Sequence, residues 1–252
     1  MPQNILRGMK KILPFLLIVF HFNLTAQWEN AYAFFGVGQA YYQGDLNATS
    51  FPTGEILNMS YKWGAGYNLH TRFGLTIHYT RSSLNGSDLF SSDNDRKARG
   101  LSFNSPVREF GLNFKIRNLT GVEGRTISYL FSGLNFFSFN PTVTRSQDSD
   151  INYAVENDFP KSGLNIPFGL GFGYWFTGNI GLVGELSLHS TFTDFIDGIS
   201  KNGNPNFNDA FIDGHAMLIF RFSEWEGTGK KSQRRSKGWS PGKVRSIKCP
   251  GL

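Results

Sequence analysis

Six segments of the chain alternate apolar and polar residues with a period of two. The clearest is residues 109–117, where apolar residues fill the even positions and polar residues or glycine fill the odd ones. Similar runs occupy residues 59–68, 72–80, 165–176, 180–192 and 212–222. Residues 32–42 and 127–139 are strand-like, but their faces cannot be assigned. Alternation over about ten residues is typical of strands that cross a membrane, so the pattern predicts eight transmembrane strands.

The lengths of the connections support a barrel. Short connections at residues 68–71, 118–124 and 177–179 alternate with long ones at 43–57, 85–103, 140–162 and 193–209. Bacterial barrels carry tight turns at the periplasmic end and long loops at the outer end. A soluble β-sandwich is the main alternative, and it explains neither this alternation nor the aromatic outward faces. We therefore predict an all-β fold, an eight-stranded antiparallel transmembrane β-barrel over residues 27–222.

The first 26 residues have the layout of a signal peptide. Arg7, Lys10 and Lys11 precede the apolar run 12–22, and cleavage is expected after Ala26. Met9 is an alternative start. An uncleaved membrane helix is the other interpretation, but spanning needs about 20 apolar residues and this run is shorter. An exported chain of this kind is periplasmic, secreted or, with these strands, located in the bacterial outer membrane.

The net charge of +6 is unevenly distributed. The signal segment carries +3 and residues 223–252 carry +6, which leaves −3 for the barrel. The barrel therefore lacks the basic field of a nucleic-acid-binding protein. Only 17% of residues are charged, whereas Gly (29) and Phe (25) are frequent, as fits transmembrane strands.

Residues 223–252 form a basic tail that we expect to be flexible and periplasmic. The tail is either a solvated extension or a segment that orders on a periplasmic partner. Its candidate docking residues are Lys230, Lys231, Arg234, Arg235, Trp239 and Cys249. Cys249 has no cysteine in its own chain to pair with, so a disulfide to a periplasmic partner is a hypothesis.

The interior of an eight-stranded barrel is just wide enough for side chains to fill it. The alternation places charged residues of both signs inside, and we expect them to form buried ion pairs. This predicted network comprises Lys62, Arg72, Glu109, Lys115, Arg117, Glu185, Asp213 and Arg221.

Two kinds of site chemistry are alternatives to this structural interpretation. Ser187, Glu185, His189, Asp213 and His215 could form a hydrolase or acyltransferase site, but no nucleophile elbow accompanies them. Calcium could bind at positions 194 and 197, yet two carboxylates in a loop are more often turn formers. We therefore predict no catalysis, no metal and no cofactor.

Several short motifs together resemble the PorG family of outer-membrane components of the type IX secretion system. In chain order they are YQGDLN at 42–47, LNGSD at 84–88, RGLSF at 99–103, FNP at 139–141, IPFGLG at 166–171 and TFTDFID at 191–197. The resemblance covers about residues 29–200, and its specificity lies in the shared order of the motifs.

The resemblance implies a secretion-machine subunit. PorG-like proteins tie the periplasmic ring, which is built from a lipoprotein and its partner, to the outer membrane. In gliding bacteria the same apparatus exports surface adhesins. The partners implied are therefore the ring lipoprotein, associated secretion-machine subunits and outer-membrane lipid. The alternatives are a passive structural barrel and a lipid-modifying barrel enzyme.

Overall fold

The computed structural model describes residues 30–44, 58–90, 94–117, 119, 125–145, 159–198 and 208–222. The predicted signal peptide (1–26) and basic tail (223–252) lie outside the described residues, and so do Lys230, Lys231, Arg234, Arg235, Trp239 and Cys249. In the described part of the chain, no helix is long and apolar enough to span a membrane.

Strands make up most of the described chain. They are β1 (Ala31–Gln43), β2 (Asn58–Asn68), β3 (Phe73–Ser87), β4 (Leu101–Arg117), β5 (Thr126–Phe139), β6 (Thr142–Arg145), β7 (Ser162–Trp175), β8 (Ile180–Thr191) and β9 (Ala210–Arg221). A 3-10 turn (Asp88–Phe90) and a short helix α1 (Asn94–Arg99) lie between β3 and β4.

Antiparallel pairing closes the sheet into a ring. The neighbours run β3-β2-β1-β9-β8-β7-β5-β4, and β3 pairs with β4 to complete the circle. The ring contains eight strands, and short β6 adds to the outer part of β4. The predicted all-β, eight-stranded antiparallel barrel is confirmed.

The two ends of the barrel differ. The connections β2–β3, β4–β5 and β7–β8, the start of β1 and the end of β9 lie at one end, which we call the short-turn end. The other is the long-loop end. There β3 and β4 continue into the connection predicted at 85–103, and β6 lies inside the one predicted at 140–162. Parts of these two predicted loops are therefore strands: β3, β4 and β6 pair into a small sheet that extends beyond the ring.

Period-two alternation sorts the side chains between two environments. On β4, Phe110, Leu112, Phe114 and Ile116 are exposed on the exterior, while the residues between them are buried. Comparable exposed apolar residues occur on β2, β3, β7, β8 and β9. A closed ring with an apolar exterior is the form in which strands span a membrane, because every ladder group is paired inside the sheet.

The strands whose faces could not be assigned carry aromatic residues on the inside as well as the outside. Tyr32 of β1 and Tyr129 of β5 are buried inward and lie opposite the glycines Gly66 and Gly171. A Cβ atom added at either glycine would lie 2.2 Å from the facing tyrosine ring. The glycines therefore make the room that inward aromatic rings need in so narrow a barrel.

The interior is layered along the barrel axis. Apolar side chains fill the short-turn end in a cluster formed by Tyr32, Phe34, Ile127, Tyr129, Phe131, Trp175, Val183, Met217 and Ile219. A second apolar cluster fills the long-loop end and contains Ala40, Tyr42, Leu84, Leu101, Phe103, Val107, Phe137, Phe139, Ile196 and Phe211. Buried charged residues such as Lys62, Glu109 and Glu185 lie between these two layers.

Candidate functional site

The half of the polar layer nearer the short-turn end is centred on Glu185 of β8. Lys62 Nζ of β2 donates to Glu185 Oε1 at 2.6 Å, and Lys115 Nζ of β4 lies 3.6 Å from Oε2. The Tyr129 hydroxyl of β5 donates to the same Oε2 at 2.5 Å. The Lys115 ammonium also lies 4.0 Å from the centre of the Tyr129 ring. One carboxylate thus connects four strands across the interior.

The half of the polar layer nearer the long-loop end is centred on His189 of β8, whose side chain is 1% exposed. His189 Nδ1 lies 3.1 Å from Glu109 Oε2 of β4, and Nε2 lies 3.3 Å from Asp213 Oδ2 of β9. The imidazole stacks on Phe211 with 4.2 Å between ring centres. Donation from both ring nitrogens requires an imidazolium, so this geometry assigns a positive charge to His189.

The charges of the two halves then balance. Glu109, Glu185 and Asp213 contribute three negative charges, and Lys62, Lys115 and the His189 imidazolium contribute three positive ones. Buried charges are tolerated when they are paired and hydrogen-bonded, because the lost hydration is then compensated.

Further polar side chains complete the network. Asn165 Nδ2 of β7 donates to Glu109 Oε2 at 2.6 Å, and His78 Nε2 of β3 lies 3.5 Å from Glu109 Oε1. On the opposite wall, His215 Nε2 contacts the Ser60 hydroxyl at 2.9 Å. These contacts fix the orientation of the charged groups relative to the surrounding strands.

The predicted network residues divide into three groups. Lys62, Glu109, Lys115, Glu185 and Asp213 are buried inside the barrel and meet in the contacts described above. Two further members, Arg117 and Arg221, are half-buried at the short-turn end. There the Arg221 guanidinium lies 4.2 Å from the centre of the Trp175 ring.

The prediction for Arg72 is wrong. This residue lies in the exposed turn between β2 and β3, because β2 continues to Asn68 and β3 begins only at Phe73. The alternating pattern begins one residue before the strand does. The Arg72 carbonyl instead accepts a hydrogen bond from the Arg117 backbone N–H at 2.8 Å.

Ser187, His189 and Asp213 do come together, but in a different arrangement from a catalytic triad. His189 Nε2 contacts both the Ser187 hydroxyl and Asp213, each at 3.3 Å, and the Ser187 hydroxyl itself donates to Asp213. A triad needs the serine and the carboxylate on opposite ring nitrogens, with the serine proton directed at the histidine. All three side chains are also buried. The arrangement is that of a structural hydrogen-bond network.

A second polar cluster, missed from the sequence, lies beneath the long-loop end. The Tyr42 hydroxyl donates to Asp197 Oδ2 at 2.8 Å and also contacts Asp209 Oδ1. Asp209 Oδ2 accepts from the Ile196 backbone N–H at 2.8 Å. Burial, and then the charge of Asp197, raises the pKa of Asp209 well above its usual range.

The Tyr42 cluster fastens the connection after β8 to the outer end of β1. The sequence signalled it only weakly, as turn-forming aspartates at 194 and 197. Among the described residues, no group of three or more possible metal ligands occurs.

Comparison with known proteins gives a family. A model described as a domain of unknown function, DUF6089, matches residues 10–215. The chain belongs to the DUF6089 family. No curated protein matches the chain significantly.

Solved structures with similar folds are bacterial surface and outer-membrane proteins. Neisserial surface protein A is 13% identical with a TM-score of 0.48, and the match covers 76% of this chain and 96% of that chain. A major outer membrane protein from Thermus thermophilus is also 13% identical, with a TM-score of 0.44 and coverage of 75% and 99%. The outer membrane enzyme PagL is 12% identical, with a TM-score of 0.32 and coverage of 75% and 98%. The likeness is one of fold alone.

Proposed function

We propose that this barrel spans the bacterial outer membrane and anchors the periplasmic ring of a type IX secretion machine. The observation that carries this proposal is the filled interior. Two apolar clusters and a charge-balanced network occupy the described lumen, which favours a role for the ends and surfaces of the barrel over solute conduction.

The end of the last strand supports the predicted docking role of the tail. β9 ends at Arg221, and the Phe222 backbone N–H donates to the Ala31 carbonyl at 3.3 Å, at the short-turn end. Tight turns of bacterial barrels face the periplasm. The basic segment 223–252 therefore begins on the side where a periplasmic ring would lie. Its cations and Trp239 supply charge and an aromatic anchor for a ring lipoprotein.

The motifs that resemble the PorG family converge in space. Tyr42, Leu84, Leu101, Phe139 and Ile196 come from five separate motifs, and all five lie in the apolar cluster of the long-loop end. This shared packing supports the proposal because it makes these distant motifs parts of one structural unit.

Deleting residues 223–252 tests the anchoring role. We expect the barrel to assemble, secretion of type IX cargo and gliding to fall, and the ring lipoprotein to be lost from purified barrel. Neutralising Lys230, Lys231, Arg234 and Arg235 to Gln should give a partial loss. A tail of the same composition in scrambled order is the matched control for charge alone. Normal secretion by the deletion strain would favour a passive structural barrel.

The enzyme alternative has its own test. Because His189 and Asp213 are buried in a structural network, we propose that the chain is not an enzyme. His189→Gln and Asp213→Asn should leave the lipids of the outer membrane unchanged when they are analysed by mass spectrometry. A lipid species that disappears in both variants, while the barrel still assembles, would identify a lipid-modifying activity.

A further inference from the structure

Two arginines face each other on the outside of the barrel. Arg81 of β3 and Arg108 of β4 are directly opposite in the antiparallel register, and both side chains are exposed. Directly opposed residues have Cβ atoms about 4.5–5.5 Å apart, and like charges at this spacing repel. In the part of the chain that the structure describes, no carboxylate forms an ion pair with either guanidinium. Among the described residues, the pair is therefore a local concentration of positive charge that no ion pair compensates.

The arginine pair marks a boundary on both of its strands. Toward the short-turn end, the outward residues are apolar and include Ile77 and Phe110. Toward the long-loop end they are polar except for Pro106. There Asn104 Nδ2 donates to Asn85 Oδ1 at 2.6 Å, and Asn85 Nδ2 donates to Asn58 Oδ1 at 2.9 Å. The exterior thus changes from lipid-facing to water-facing at the arginines.

The height of this boundary matches the edge of a bilayer. From Arg108 to Ile116, near the end of β4, the strand covers about 27 Å at about 3.4 Å per residue. A tilt of about 40° reduces this to about 21 Å along the membrane normal, close to the apolar band of about 25 Å in outer-membrane barrels. Trp63 and Tyr79, with ring centres 4.7 Å apart, lie just inside the boundary on β2 and β3. Aromatic residues of this kind collect at the headgroup level.

We propose that Arg81 and Arg108 bind the phosphate of an anionic lipid headgroup in the outer leaflet. The two guanidinium forks offer bidentate hydrogen bonds to phosphate oxygens, and the anion removes the repulsion between the arginines. The acyl chains of the lipid lie on the apolar exterior beside Tyr79 and Phe110. This proposal rests on the proposed placement in the outer membrane and is independent of any role in secretion.

The test measures lipid retention by barrels refolded into phosphatidylcholine vesicles that contain lipid A. The lipid is supplied either with both phosphates or after their removal, and the amount retained per barrel after detergent extraction is measured by mass spectrometry. Wild type should retain the phosphorylated lipid and release the dephosphorylated one. R81Q/R108Q should bind the phosphorylated lipid about tenfold more weakly or worse, because charge-assisted hydrogen bonds are lost.

The matched control is K97Q/R145Q. Lys97 on α1 and Arg145 on β6 are exposed cations of the same long-loop end, so the change of charge is identical. The control should retain lipid like wild type. Heat-modifiable migration in gels confirms folding of every variant, which separates a failure of membrane insertion from a failure of lipid binding. If R81Q/R108Q does not fold, R81K/R108K keeps the charge without the forks and should show a several-fold loss.

Three outcomes would overturn the proposal. The first is equal retention of lipid A with and without its phosphates, which would indicate adsorption through the acyl chains alone. The second is wild-type retention by the arginine variant that folds. The third is displacement of the lipid by inorganic phosphate alone, which would assign the arginines to a free anion instead of a headgroup.

Discussion

Replacing Glu185 with leucine should strongly destabilise the barrel. The substitution removes the carboxylate that Lys62 and Lys115 share, and the Tyr129 hydroxyl loses its acceptor as well. The leucine side chain itself fits an apolar environment. The cost therefore comes from the two ammonium groups that stay buried beside the aromatic rings of the short-turn cluster.

The expected magnitude follows from the number of partners that Glu185 has. Breaking a buried ion pair by removing one member costs about 3–5 kcal/mol, because the other charge is left uncompensated. Native proteins are stable by about 5–15 kcal/mol, so the loss is a large fraction of the total. Glu185→Gln keeps an acceptor for Lys62 and should cost less. The double variant Glu185→Leu/Lys62→Met should recover part of the loss, since it removes one unpaired ammonium and leaves Lys115.

Urea titration of the refolded barrel in vesicles, followed by tryptophan fluorescence, measures these differences. The control is Asp93→Leu, in the connection between β3 and β4 and outside the described residues. Equal unfolding midpoints for Glu185→Leu and Asp93→Leu would refute the view that a packed interior holds Glu185. Absence of any recovery in the double variant would refute the specific pairing with Lys62.

Four further predictions concern the barrel, its orientation, its outer cluster and its tail. Unboiled barrel should migrate differently from boiled barrel in gels, and predominantly helical circular dichroism would contradict the fold in solution. Tags near Asn94 and Asn152 should be labelled from outside intact cells and tags near Asn179 should not; the reverse pattern would invert the orientation. Because burial raises the pKa of Asp209, its stabilising proton is fully present below the unfolded pKa of about 3.9 and stability is lost as pH rises through the folded pKa. Asp209→Asn should therefore lose less stability than wild type as the pH rises above about 4 in urea titrations, and identical slopes would contradict this. If Cys249 bonds to a periplasmic partner, non-reducing gels should show a heavier band that reductant and Cys249→Ser abolish, and a single monomer band in both strains would exclude it.

The strands that the sequence predicts with their faces assigned are those with an apolar outward face and a polar inward face. β4 is the clearest example, because every outward position is apolar from Phe110 to Ile116 and every buried position between them is polar or glycine. β1 and β5 are recognisable as strands from the sequence, but their faces cannot be assigned, because their inward positions carry rings such as Tyr32 and Tyr129. Periodicity compares the two faces of one strand, so it gives no answer when both faces are apolar.

The contacts inside the barrel are harder to predict from the sequence than the strands are. Alternation identified Lys62 and Glu185 as inward, but they are 123 residues apart and their strands are not neighbours in the ring. Their pairing depends on how far each strand is staggered around the barrel, which no local pattern records. The same reason applies to Tyr42 and Asp209, which are joined only when β1 and β9 meet to close the ring.

The position of the shared motifs distinguishes the residues that stabilise the barrel from the segment that is proposed to bind the partner. Five of the six motifs resembling the PorG family contribute residues to the apolar cluster at the long-loop end, whereas the proposed docking segment follows β9 at the opposite end. A substitution such as Leu84→Ala should therefore act through cavity formation, at a cost of about 2–5 kcal/mol, and reduce the amount of assembled barrel. Secretion per assembled barrel should remain unchanged, while deletion of residues 223–252 should show the reverse. Measuring assembled barrel and secreted cargo in the same cells distinguishes them. A Leu84→Ala strain with normal barrel levels and poor secretion would move the partner surface to the long-loop end.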